Sequence, residues 1–141
     1  MPGVRPTGRF PASQRVRKRP EFQQIQAQGR RVITPHFALL LRARAGAANG
    51  ARLGVTASRK IGGSVVRSRA KRLIREAFRA TRELWEADMD LVVVVRRPLG
   101  AMHMAEVAGE WLDLGREIRR RTREARKDRE KRESTLAPRE K

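Results

Sequence analysis

The hydrophobic positions of this chain change period several times between residues 14 and 118, and each change marks an element. Val66, Ala70, Leu73, Ala77 and Leu84 recur at about 100° per residue, flanked by Ile74, which predicts an amphipathic helix. Gly62-Gly63 gives that helix a tight entry, and Ser64 stands where an N-cap is expected. Upstream, Phe37, Leu39 and Leu41 alternate with Ala38, Leu40 and Arg42, and Leu53, Val55 and Ala57 alternate with Gly54, Thr56 and Ser58. Such alternation predicts strands with one face on a core. "RRVI" before Pro35 reads as a further extended segment. "MDLVVVV" is apolar without alternation, the pattern of a strand covered on both faces, and Pro98 follows it. Helical spacing returns with Met104, Val107, Ala108, Trp111, Leu114 and Ile118 on one stripe. A short helix is expected over Glu21–Gln28, with Pro20 in its first turn and Gly29 at its stop.

The order is therefore α-β-β-β-α-β-α, an α+β fold with helices packed on a small sheet. Residues 1–13 contain Pro2, Gly3, Pro6, Gly8 and Pro11 and are expected to be disordered; residues 14–118 form one domain. From Arg116 onward twelve basic and six acidic residues leave hardly any apolar ones. Residues 119–141 are thus expected to be a charged tail, either a helical extension or disordered, with nothing to add to a core.

Charge changes the picture. In 141 residues the net charge is +19 and the pI near 11.9, far beyond what solubility requires, which points to a polyanionic partner. The absence of cysteine excludes disulfides and thiolate metal sites. No secretory signal pattern opens the chain, and no window approaches the ~18 apolar residues of a membrane span. A cytoplasmic nucleic-acid binder without membrane association is the simplest class.

The charge concentrates on the predicted helix. Arg67, Lys71, Arg75, Arg79 and Arg82 lie nearly opposite its apolar stripe, with Arg72 beside them, and from Arg67 to Arg82 seven basic residues meet one acidic residue, Glu76. Like charges four residues apart destabilise a helix, and Arg67 and Arg69 sit near its positive dipole end. An ordinary solvated face intersperses acids, so this face reads as a phosphate-binding surface. A guanidinium fork can hold a phosphate through two hydrogen bonds. Side-chain catalysis has no comparable support. His36 and His103 are isolated, and "KIGGS" departs from the phosphate-loop pattern. Glu83, Glu86, Asp88 and Asp90 read as a solvated turn rather than a metal site. On the sheet, Ala38, Leu40 and Thr56 fall on the face opposite the main core, where Phe22 either packs or offers a platform for an unpaired base.

"SRKIGGSVVRSRAKRLIREAFR", Ser58–Arg79, resembles the bacterial ribonuclease P protein subunit: a basic turn, Ile-Gly, Ser-Val-x-Arg-x-Arg, then Lys-Arg-Leu-x-Arg-Glu-x-Phe-Arg. The likeness extends outward through "RVRKRPEFQQIQAQGRR", "HFALLL", "RLGVTAS" and "DMDLVVVVRRP". The resemblance implies a small α/β sandwich with a four-stranded mixed sheet and a left-handed crossover at the basic helix, against the usual hand. It further implies the accessory subunit of a ribonucleoprotein that removes the 5′ leader of precursor tRNA. The RNA subunit supplies the catalytic site and holds Mg²⁺, and no obligate protein partner is expected. By position, Lys60, Arg67, Ser68, Arg69, Arg72 and Arg79 would face the catalytic RNA. Phe22, Ala38, Leu40, Thr56, Lys71 and Arg75 would line the leader cleft. The family's central Asn is Ser68 here, Gln26 replaces a common aromatic, and Leu40 replaces an aromatic on the second strand. Leader contact is thus expected to lean on charge and apolar surface more than on stacking. The rival reading is a general RNA- or ribosome-binding protein without a processing role.

Overall fold

The computed structural model describes residues 14–45 and 50–136. The expected disorder of residues 1–13 and most of the GAANG loop fall outside the described residues. The elements are α1 (Arg19–Gln28), β1 (Arg30–Ile33), β2 (Phe37–Ala43), β3 (Arg52–Thr56), α2 (Ser64–Ala80), β4 (Met89–Val95), α3 (Met104–Leu112) and α4 (Gly115–Leu136). They reproduce the expected α+β order with one helix more. The C-terminal helical pattern divides at Asp113 and Leu114, just before Gly115.

The four strands lie in the order β1-β2-β4-β3. β2 pairs antiparallel with β1 and β4, while β3 and β4 run parallel, joined by the α2 crossover. Odd-numbered residues of β2 and β4 face the larger core, shared with α2, α3 and the start of α4. Trp111 is its centre, edge-on to Phe37 and Trp85 at ring separations of 5.8 and 5.7 Å, with Phe78 stacked on Trp85 at 6.0 Å. Edge-to-face pairs suit the ring quadrupoles and add about 1 kcal/mol each to the burial itself. On the other face, α1 covers Leu40 and Val92 with Ile25 and Val16, forming a smaller second core.

The apolar face of α2 is shifted from the expected stripe. Ala70, Leu73, Ile74, Ala77 and Phe78 are buried, but Val66 is 45% exposed. Val66 sits over Gly62, where a Cβ would lie 2.9 Å from the valine, so its packing partner is the entry turn and not the sheet. Leu84 is buried in a separate short turn, because α2 ends at Thr81, whose hydroxyl donates to the Ala77 carbonyl at 2.7 Å. Gly63, not Ser64, occupies the N-cap.

Two acids expected in a solvated turn are instead buried. Asp90 accepts from Arg52 Nε and Nη2, both at 2.8 Å, and from Arg44 Nη1 at 2.9 Å. Asp88 accepts from Arg126 and Arg129 of α4 at 2.9 Å. The Arg126 hydrogen bond, opposed by burial, holds the Asp88 carboxyl below its ordinary range. These bonds, with the Arg30–Asp128 pair at 2.8 and 2.9 Å, dock α4 along β2 and β1. The segment after 118 therefore does join the core: Ala125 is buried, and so is Thr122, whose hydroxyl is satisfied by the Ile118 carbonyl. His36 has a structural partner in Glu110, which accepts from its ring and backbone and from Thr34 at 2.6–2.9 Å. Burial alone would raise the Glu110 carboxyl, but these donors hold it low.

Candidate nucleic-acid interface

The entry to α2 is built by its glycines and one isoleucine. Ile61 is buried and anchors the Arg59–Ile61 turn, which leaves Lys60 exposed. Gly62 has φ 149°, a region L side chains rarely adopt, and this turns the chain into the helix. Beyond it Val65, Ser68 and Arg72 are exposed, while Arg67, Lys71, Arg75 and Arg79 are half-buried. The four-residue ridge thus lies along the flank of the helix, and its outermost line is Val65, Ser68 and Arg72.

None of the basic residues of α2 or its entry turn has a carboxylate within ion-pair distance among the described residues. α4 offers a comparison: among the described residues Arg120, Arg121, Arg126 and Arg129 pair with acids, while Arg116, Arg119, Arg123, Lys127, Lys131 and Arg132 do not. Along α2 and its entry turn no cation does.

The α2 cations differ in what else they do. Arg67 Nε donates to the Gly62 carbonyl at 3.2 Å, leaving the end of its fork free. Arg69 donates to the Gly100 and Met102 carbonyls at 2.9 and 2.6 Å, so it holds the β4–α3 loop as well as carrying charge. Arg79 has one terminal nitrogen buried without a hydrogen-bond partner. Arg75 has its proton affinity lowered, first by burial and then by the charge of Arg15. Arg15 reaches it because the segment Arg15–Val16 runs beside the edge strand β3, Val16 N–H donating to the Leu53 carbonyl at 2.9 Å. The charge of Arg15 thus adds to the positive potential around Arg75 in a partly desolvated place.

The other half of the interface is the α1 face of the sheet. Cross-strand register aligns Ala38, Val94 and Thr56 in one row and Leu40, Val92 and Gly54 in the next. The second row lies under α1. A Cβ on Gly54 would stand 2.7 Å from the Phe22 ring, so this glycine provides the seat for that ring. Leu40 is 3% exposed and cannot meet a ligand; it belongs to the floor beneath Ile25 and Val16. The first row is half-buried and open beside Phe22. Of the expected leader residues, Phe22, Ala38 and Thr56 adjoin this strip, Lys71 and Arg75 lie on the α2 ridge, and Leu40 is withdrawn. Val94, paired with Ala38 and Thr56, and Arg15, close to Arg75, stand beside the same strip and ridge and escape the sequence pattern. Val94 hides in an unbroken apolar run, and Arg15 precedes any periodic element. No three acids or histidines gather in a metal-holding group among the described residues.

The ribonuclease P family model matches residues 10–119. The ribonuclease P protein component of Desulfovibrio desulfuricans is 41% identical over 113 residues, covering 79% of this chain and 87% of the relative. That of Syntrophus aciditrophicus is 38% identical over 98 residues, covering 70% and 81%. The RNase P protein of Staphylococcus aureus has a similar fold, with a TM-score of 0.63 at 28% identity over 77% of this chain and 97% of that one. The RNase P protein of Thermotoga maritima gives 0.62 at 29% identity over 71% and 93%. With the unpaired basic helix, the parallel crossover that carries it and these matches in agreement, the chain belongs to the bacterial ribonuclease P protein family.

Proposed function

We propose that the chain works as the protein subunit of ribonuclease P by docking α2 and its entry turn on the sugar–phosphate backbone of the catalytic RNA. Lys60, Arg67, Ser68 and Arg72 make that contact; Arg69 positions the neighbouring loop and adds charge, and Arg79 contributes from the helix end. The strip of Ala38, Val94 and Thr56 beside Phe22, bounded by Lys71, Arg75 and Arg15, takes the unpaired leader of precursor tRNA. The observation that carries this reading is the row of α2 cations, none with an acidic partner among the described residues, on a helix whose one acid is Glu76. The protein's part is binding and orientation in the cytoplasm, and the RNA performs the cleavage. Mg²⁺ fits the RNA and not this face, whose donors are cationic; neutralising phosphates near the substrate lowers the repulsion that Mg²⁺ must otherwise screen.

Cleavage of precursor tRNA by the cognate RNA at low Mg²⁺ is expected to be much faster with the protein than without it. The assembled enzyme is expected to bind precursor more tightly than mature tRNA. Equal rates with and without protein overturn the reading, and equal affinities reduce the chain to a general RNA binder.

A further inference from the structure

The last turns of α4 pass the end of β2 and approach α1. Arg132 Nη2 donates to the Ala43 carbonyl at 2.7 Å and Arg129 Nη1 to the Arg44 carbonyl at 3.1 Å. On the α1 side, Arg42 Nε donates to Gln28 Oε1 at 2.9 Å. Between them lies an open groove of about 590 Å³, lined by Gln24, Gln28, Arg42, Arg129, Lys131 and Arg132, with Glu133 as its acidic member.

Glu133, the groove's own acid, forms no ion pair among the described residues, so the lining carries one negative against four positive charges; the other nearby acids are already committed. Asp128 is held by Arg30, Asp88 by Arg126 and Arg129, and Asp90 by Arg44 and Arg52. Arg42, Lys131 and Arg132 form no ion pair among the described residues. Burial, then the charge of Arg132, lowers the proton affinity of Arg42, so the two guanidinium groups feel each other. Each is fixed by one hydrogen bond to a neutral oxygen and keeps other donors free. Oriented forks with unspent charge are suited to phosphate oxygens. None of the described lining residues is aromatic, so they offer nothing for a base to stack on and favour backbone over base. It is separate from the leader strip: Arg42 lies four residues beyond Ala38 on β2, about 13 Å along the strand, with α1 between. Its α4 side also lies past the stretch shared with the family.

We propose that this groove is a second RNA-phosphate site, in which Arg42, Lys131 and Arg132 bind the phosphodiester backbone of ribonuclease P RNA or of the precursor leader. The proposal rests on the reading of the chain as an RNA-docking subunit. The test uses the full chain and measures RNA affinity across a salt titration. Arg42→Gln with Arg132→Gln, and separately Arg42→Gln with Lys131→Gln, are compared with Arg119→Gln plus Arg123→Gln, which removes the same charge from exposed α4 positions outside the groove. The Lys131 pair guards against loosened docking of α4, since Lys131 makes no hydrogen bond among the described residues. Both groove pairs are expected to weaken binding about five- to twentyfold and to lower the salt slope by about one to two. The control pair should cost no more than about twofold, and thermal melting of the Lys131 pair should match the parent.

A loss seen with ribonuclease P RNA alone assigns the groove to that RNA. A loss seen only with leader-bearing precursor in the assembled enzyme assigns it to the leader. Groove variants no weaker than the control overturn the proposal, while a loss in Arg67→Gln with Arg72→Gln would leave the docking role of α2 standing. If that variant also binds normally, the docking reading itself fails.

Discussion

Arg67→Gln combined with Arg72→Gln is expected to lower affinity for folded ribonuclease P RNA about a hundredfold at low salt, with the fold unchanged. Both side chains lie on α2 without acidic partners. Arg72 is exposed, and Arg67 spends only one nitrogen on the Gly62 carbonyl. Each charged hydrogen bond to phosphate contributes about 1.5 kcal/mol, so two lost contacts amount to about 3 kcal/mol. Each phosphate neutralised also contributes about 0.9 to the slope of log affinity against log salt, so the slope should fall by about two. Arg69 is deliberately left in place. Its hold on Gly100 and Met102 means that removing it would disturb the β4–α3 loop and mix a folding effect with a binding one. Filter binding or fluorescence titration across salt, with circular dichroism as the fold control, reads the result. An unchanged slope would mean that these arginines do not meet phosphate.

Asp90→Ala is expected to destabilise the protein by about 3–5 kcal/mol without touching the RNA-facing surface. Asp90 is 2% exposed and binds two arginines at once, Arg52 in bidentate fashion. Replacing it leaves both guanidinium groups partly buried, and although Arg52 keeps a weaker contact to Glu21 at 3.3 Å, Arg44 loses its carboxylate altogether. Asp88 adds a pH dependence of known sign. Its folded pKa is depressed, so its contribution is present above the unfolded carboxylate pKa of about 4 and disappears as pH falls through the folded value. Chemical denaturation at pH 7 and at pH 3 checks both statements. A cost below about 1 kcal/mol for Asp90→Ala would show that the arginines find other partners.

Local periodicity made much of this molecule legible. The helix spacing of Ala70, Leu73 and Ala77 and the alternation in Phe37–Leu41 report burial directly, because each side chain's environment follows from its own element. The resemblance placed Lys60, Ser68 and Arg72, all of which are exposed as a docking surface requires. What stayed hidden depends on partners far along the chain. Asp90 looks like a loop acid until Arg44 and Arg52, 46 and 38 residues away, close on it. The charged helix after residue 118 looks unable to dock until Arg30 meets Asp128, 98 residues on. Leu40 shares its strand face with Ala38 and differs only because α1 crosses above it. Val66 fits the helical stripe and leaves the core because Gly62 gives it another partner.

The most direct test is an equilibrium competition in which the purified protein, at near-physiological salt, chooses between folded ribonuclease P RNA and an unrelated structured RNA of equal length. The account predicts clear preference for the ribonuclease P RNA, lost in the Arg67/Arg72 variant, and no cleavage of precursor tRNA by the protein alone. Equal affinity for the two RNAs, or processing without the RNA subunit, would contradict it.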